Sequence, residues 1–307
     1  MIDQDSKSIV EQDTVIPYIL AGSTDKSIYL VRQDTGEIVD KYPIHQSPVL
    51  SISTYPPDPN YFVSTSMDGS TLLYHTLSKQ ILQKWNTHEK YVNKSLFSGD
   101  GEWFVTGSHD HSVNIYHRLQ TQPLSYHFQQ KLKFKGIIES LCFFNSESTL
   151  IVGIRNDHNL HYIHLPSMEE TLVNMNANGD HWVSFSPMDL ALSPNEKFLA
   201  VYTDSKAGRI IIYYNKTSNI VLNLWNTIVD EFSMPRLVWN PMGSLLCCTS
   251  NNDVYVFDIF NEGECVQKLV GHNGMVRSLA FTRDNELISG SFDQSVRIWE
   301  LSEIVKS

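Results

Sequence analysis

Short runs rich in Val, Ile, Leu and aromatic residues alternate along the chain with polar, turn-forming clusters. Residues 61–66 and 71–77 are two such runs, separated by a Met-Asp-Gly turn. That is the pattern of a β-hairpin. Another short strand is predicted upstream over 49–53 and a fourth downstream over 80–85. No stretch sustains apolar residues at i, i+3, i+4 and i+7 without interruption by Gly, Pro or a β-branched residue, so no long helix is predicted.

The hairpin turn recurs. STSMDGSTLLY, TGSHDHSVNIY and SGSFDQSVRIW share one layout, and AGSTDKSIYLV, VGIRNDHNLHYI, VYTDSKAGRIIIYY and CTSNNDVYVF follow it more loosely. The turn residues Asp25, Asp68, Asp110, Asp157, Asp204, Asn251 and Asp293 are 42 to 47 residues apart. Four short strands per interval of this length make one propeller blade. Seven intervals occupy residues 1–307, leaving no room for a second domain. The expected fold is all-β, a seven-bladed propeller of four-stranded antiparallel blades.

The last repeat reads Gly271-His272, then SGSFD over 289–293, then Ile298-Trp299. It resembles a WD40 repeat, with Glu300 in place of the usual Asp after Trp. The resemblance extends over about residues 15–305, weakening in the other repeats. It implies a buried tetrad in each well-kept blade: a His before the first strand, a Ser or Thr on the second, the turn Asp, and an aromatic on the third. Three repeats carry it: His272, Ser289, Asp293 and Trp299; His88, Thr106, Asp110 and Tyr116; His45, Ser64, Asp68 and Tyr74. His, Ser and Asp are also the residue types of a hydrolase triad. A catalytic constellation is needed once, whereas a device that ties a blade together is needed per blade, so the tetrads are read as structural. The first, fourth and sixth repeats lack the set (Ala21 and Val31; Gly153 and Ile163; Cys247 and Phe257), and the fifth inserts SKAG. These blades should depend more on apolar packing, and the middle ones should be the less regular.

Composition narrows the function classes. Hydrophobic residues are 41% and charged residues 19%, a globular balance. No apolar run is long enough for a transmembrane helix, and the acidic start MIDQDSKSIVEQD is unlike a secretory signal. Cys142, Cys247, Cys248 and Cys265 show no paired metal spacing and read as free thiols of a reducing compartment, cytoplasmic or nuclear. With 23 Lys and Arg against 34 Asp and Glu, the net charge is −11, which disfavours general binding to nucleic-acid phosphate. In HNLHYIH, His161 and His164 fall on opposite strand faces and cannot share one ion, and His158 lies in the turn. The run KLKFKG (131–136) reads first as lysine protection of an edge strand. With Lys90, Lys94 and Arg155, Lys131–Lys135 could instead form a positive rim for an acidic ligand. The paired Phe-Arg-Arg-Gly signature of phosphoinositide-binding propellers is absent, as are a phosphate-cradling Gly loop, HExxH and GxSxG.

No catalytic, cofactor or metal residues are assigned. The resemblance implies a non-catalytic scaffold or adaptor that binds proteins or peptides on the propeller face and rim. A phosphoinositide- or nucleic-acid-binding propeller and a propeller-type hydrolase are the alternatives. In the family, partners dock on the face bearing the turn aspartates, through the residue before each turn Asp and residues entering each first strand. Here the aromatic, thioether and Arg content of those positions is Met67, Tyr91, His109, Met275, Arg277 and Phe292. Ring closure is expected to be imperfect, because 1–16 and 302–307 are short and polar. One terminal blade should have three strands.

Overall fold

The computed structural model describes residues 17–225, 227, 234–282 and 284–301. Its elements are 26 β-strands and one short 3₁₀ turn, Asn145–Glu147. No helix among the described residues is long and apolar enough to cross a membrane.

The strands form seven antiparallel sheets. Blade 1 comprises β1 (Tyr18–Gly22), β2 (Ile28–Arg32) and β3 (Ile38–Tyr42). Blade 2 is β4 (Val49–Thr54), β5 (Tyr61–Ser66), β6 (Thr71–His75) and β7 (Gln80–Trp85), and blade 3 is β8 (Val92–Phe97), β9 (Trp103–Ser108), β10 (Ser112–Leu119) and β11 (Ser125–Lys133). Blade 4 holds β12 (Ile138–Phe144), β13 (Thr149–Ile154), β14 (Asn159–His164) and β15 (Glu169–Asn174). Blade 5 holds β16 (Pro187–Leu192), β17 (Phe198–Thr203), β18 (Ile210–Tyr214) and β19 (Ile220–Leu224). Blade 6 is β20 (Leu237–Trp239), β21 (Leu245–Ser250), β22 (Asp253–Asp258) and β23 (Glu264–Leu269), and blade 7 is β24 (Val276–Phe281), β25 (Leu287–Ser291) and β26 (Val296–Trp299).

From blade 2 onward the first strand of each blade touches the first strand of the next, and so lines the axis. The result is a seven-bladed β-propeller. β1 meets β4 as the second strands β5 and β9 meet the first strands that follow them, β8 and β12. Blade 1 therefore lacks an innermost strand among the described residues, and blade 7 an outermost one. The segments expected to bear on this, 1–16 and 302–307, lie outside the described residues. Gln33 of blade 1 donates a hydrogen bond to the Glu286 carboxylate of blade 7, joining the two ends of the ring.

Blades 2 to 6 bury both faces against their neighbours, which is why their second and third strands are largely buried. Six apolar clusters fill the six interfaces from blades 1–2 to blades 6–7. Adjacent Cys247 and Cys248 point to opposite faces of β21, one into each cluster flanking blade 6. Burial pushes both thiols upward in pKa. Blades 4 and 5, expected to be less regular, each have four full strands, with β13 buried throughout. In blade 6 the first strand, β20, has three residues.

The turn residues lie between the second and third strands of their blades. In blades 1, 2, 3 and 7 the residue after the turn Asp has positive φ: Lys26, Gly69, His111 and Gln294. The Asp carboxylate accepts the N–H two residues on, from Ser27, Ser70, Ser112 and Ser295, at 2.8–3.1 Å. This Asx turn reverses the chain without help from tertiary packing.

Candidate interaction site

In blade 7 the four tetrad residues form one chain of hydrogen bonds. His272 Nδ1 lies 2.8 Å from Asp293 Oδ2 and its Nε2 2.8 Å from Ser289 Oγ. Trp299 Nε1 donates to the same Ser289 Oγ at 2.8 Å. Burial pushes the Asp293 carboxyl upward, but hydrogen bonds from Ser295, the Asn273 N–H and His272 outweigh it and hold the group well below the usual carboxylate range. The order Asp–His–Ser matches a hydrolase triad. Access separates the two: Ser289 is 0% exposed. A nucleophile must reach a substrate carbonyl, and this hydroxyl faces only protein.

Blade 3 repeats the core of the device, with His88 Nδ1 3.0 Å from Asp110 Oδ2 and Nε2 2.8 Å from Thr106 Oγ1. The closure differs. The Tyr116 hydroxyl makes a 2.7 Å bond to Thr87 Oγ1, because a phenol places its polar atom farther out than an indole N–H does. Blade 2 departs further. His45 Nε2 bonds Ser64 Oγ at 2.7 Å, but Nδ1 bonds Ser70 Oγ at 2.8 Å and stands 3.8 Å from Asp68. Tyr74 was expected to complete this tetrad and instead packs on Tyr42 and Phe62 at ring separations of 4.8 and 5.3 Å. The residue before His45 is Ile44, in the same apolar cluster, where blade 3 has Thr87; no hydroxyl is there to receive the phenol.

The turns and the loops entering the first strands share one face. There the two sets of candidate binding residues prove to be bonded in pairs. Met67 N–H donates to Pro48 O, His109 N–H to Tyr91 O and Phe292 N–H to Met275 O, each at 3.0 Å. The Tyr91 and His109 rings lie 5.4 Å apart, and Arg277 stacks with its guanidinium carbon 4.9 Å from the Phe292 ring centre. Arg277 Nη1 also approaches Met275 Sδ at 3.9 Å. Burial, and then the Arg236 charge, lower the Arg277 pKa to about 10. Phe292 is 53% exposed, Tyr91 44% and Met67 37%, while His109, Met275 and Arg277 are half-buried.

The cations expected to form one positive rim are divided. Lys131 Nζ bonds the blade 3 turn at Asp110 Oδ2, 3.2 Å away, and Arg155 pairs with the buried carboxylate of Glu139. Lys94 turns into the channel and meets Asp189 Oδ1 at 2.7 Å. His161 lies between Asp157 at 3.2 Å and Glu170 at 2.6 Å, and His164 bonds Ser167. Among the described residues no group of His, Cys, Asp and Glu is placed to hold a metal ion.

The Lys94–Asp189 pair was missed in the sequence. In blades 2, 3, 4, 5 and 7 the first strand has a bulge near its start, opposite the end of the second strand. The residue after the bulge is Ser51, Lys94, Ser140, Asp189 and Ser278 in blades 2, 3, 4, 5 and 7. Arg236, whose carbonyl accepts the Thr249 N–H, holds the matching place in blade 6, with Nη1 3.8 Å from Asp189. Register alignment of the first strands would have exposed this polar layer.

A profile for "WD domain, G-beta repeat" matches residues 36–75, 79–117 and 263–300, which include the His, Ser or Thr, and Asp of all three tetrads. These three stretches are WD40 repeats. The WD40 propeller is 34% identical over 86 residues to F-box/WD repeat-containing protein 10 of Mus musculus, covering 27% of this chain and 8% of that protein. It is 41% identical over 63 residues to Mitochondrial division protein 1 of Pyricularia oryzae, covering 20% of this chain and 9% of that protein. The matched stretches thus span less than a tenth of either relative. They identify the WD40 repeats and leave the subfamily open. WD40 propellers typically bind proteins and are typically non-catalytic.

Proposed function

We propose that the chain is a non-catalytic interaction module, a scaffold or adaptor subunit in a reducing compartment. Its partner docks on the turn-bearing face at blades 2, 3 and 7. The observation that carries this reading is the pairing of exposed anchor residues across that face: Met67 on Pro48, Tyr91 with His109, and Phe292 with Met275 beneath a stacked Arg277. Aromatic, Met and Arg side chains at the centre of an interface are its usual hot spots. Turns held by Asx geometry and by backbone bonds present them already ordered, which lowers the entropy lost on docking.

The test is quantitative association in cell extract, comparing wild type with Phe292→Ala, Tyr91→Ala and Arg277→Glu by affinity purification and mass spectrometry, with thermal melts alongside. Partners that depend on this face should weaken by about 1–3 kcal/mol per site at an unchanged melting temperature. A verified partner that binds all three variants like wild type refutes the assignment.

A further inference from the structure

A cavity of about 350 Å³ opens on the same face between blades 3 and 4. Its sides are His111, Lys135, Arg155, Asn156, Asp157 and His158, over an apolar floor of Ile137 and Ile154. Gly136 lets the loop into blade 4 lie against the turn, since an added Cβ would sit 2.3 Å from the Arg155 carbonyl oxygen. We propose, resting on the reading of this face as the interaction surface, that this cleft receives an acidic stretch of a partner polypeptide.

Charge carries the assignment. The chain has a net charge of −11, yet here Lys135 and Arg155 line the cleft with a single carboxylate, Asp157, and the His111 and His158 rings complete its polar wall. Asp157 is already engaged by the Asn159 N–H and His161. Arg155 is bridged to Glu139 through Nε, and its side chain, 41% exposed, still lines the cleft. Lys90, Lys133 and Lys135 form no ion pair among the described residues, unlike Lys94 and Lys131. His109 adjoins the same field: burial first, then the charges of Arg155, Lys90 and His111, lower its pKa. Its Nε2 has no hydrogen-bond partner among the described residues. Through His109 the cleft leads to the exposed Tyr91, a path suited to an extended segment. A carboxylate entering beside the apolar floor would be screened less than on an open surface.

The probe is a fluorescein-labelled octapeptide alternating Glu and Gly, with the Gln–Gly octapeptide as its neutral counterpart, read by anisotropy against the whole chain. The Glu peptide should bind saturably, the Gln peptide should not, and affinity should fall as salt rises. Lys135→Glu, at an exposed position, should weaken binding about tenfold or more. Lys197→Glu, in the loop between β16 and β17 of blade 5 at the end away from the turns, should leave it unchanged. Equal losses in the two variants would mean diffuse attraction and overturn the site, as would a failure to saturate below about 1 mM. Binding of Lys135→Glu at the wild-type level overturns it too, as does capture of the chain by anionic lipid vesicles with no response to the peptide. Partner association lost in Phe292→Ala but intact in Lys135→Glu retains the face and removes the cleft; association intact in both removes both readings.

Discussion

Ser289→Ala deletes the oxygen through which the last blade's hydrogen-bond chain runs. The hydroxyl accepts from Trp299 Nε1 and pairs with His272 Nε2, both at 2.8 Å. Alanine leaves both nitrogens without that partner. A buried polar group left unsatisfied costs about 1–3 kcal/mol. His272, 5% exposed, should bear most of this, and the half-buried Trp299 should stand at the low end. The expected loss is about 2–4 kcal/mol. If 307 residues melt as one unit, the entropy of melting is about 0.6 kcal/mol/K, and the midpoint should drop by about 3–6 °C. Scanning calorimetry reads the midpoint, and hydrogen exchange shows whether β24–β26 open first. Ser64→Ala is the internal comparison. Ser64 bonds His45, but blade 2 has no indole to close on it, so that variant should lose only about 1–2 kcal/mol. An equal or larger loss in Ser64→Ala, or a wild-type midpoint in Ser289→Ala, would refute the reasoning.

Two further predictions concern buried charge. Burial lowers the His45 pKa from 6.5 to about 4, against the raising effect of the Asp68 charge. The unfolded chain therefore takes up a proton that the folded one refuses, so this contribution is intact above about 6.5 and lost as pH falls toward 4, at most about 3 kcal/mol. Stability measured by urea titration across that window should flatten in His45→Gln; an unaltered slope contradicts the assignment. In the channel, Asp189→Ala strands the largely buried Lys94 and should cost about 3–5 kcal/mol, whereas Lys94→Met combined with Asp189→Asn should recover most of it. A double variant as unstable as Asp189→Ala would show that the pair is not the cause.

The tetrad residues differ in how far they could be read without coordinates. His272, Ser289, Asp293 and Trp299 lie within one blade, as do His88, Thr106 and Asp110, and the contacts their spacing implies are made. Tyr74 obeys the same spacing and fails, because its place is set by Tyr42 from the preceding blade and by Ile44 before the histidine. A residue count measures position along a strand, not what the adjoining sheet offers.

The sequence by itself determined the strands, their turns and the number of blades, since each depends on local causes. An Asx turn, a residue at positive φ and an apolar run are complete within a dozen residues. The positions proposed as anchors, before the turn Asp or entering the first strand, could be counted along the chain, though not their pairing across loops. Only the tertiary structure decided which cations are spent and which remain. Lys94 and Asp189 are 95 residues apart and meet because the first strands of blades 3 and 5 converge on one axis. Lys131 is tied to Asp110, while Lys135, four residues on, lines a cleft that exists only where two blades meet. Closing the ring brings charges together at distances the chain order does not encode, and at those distances electrostatics is strongest.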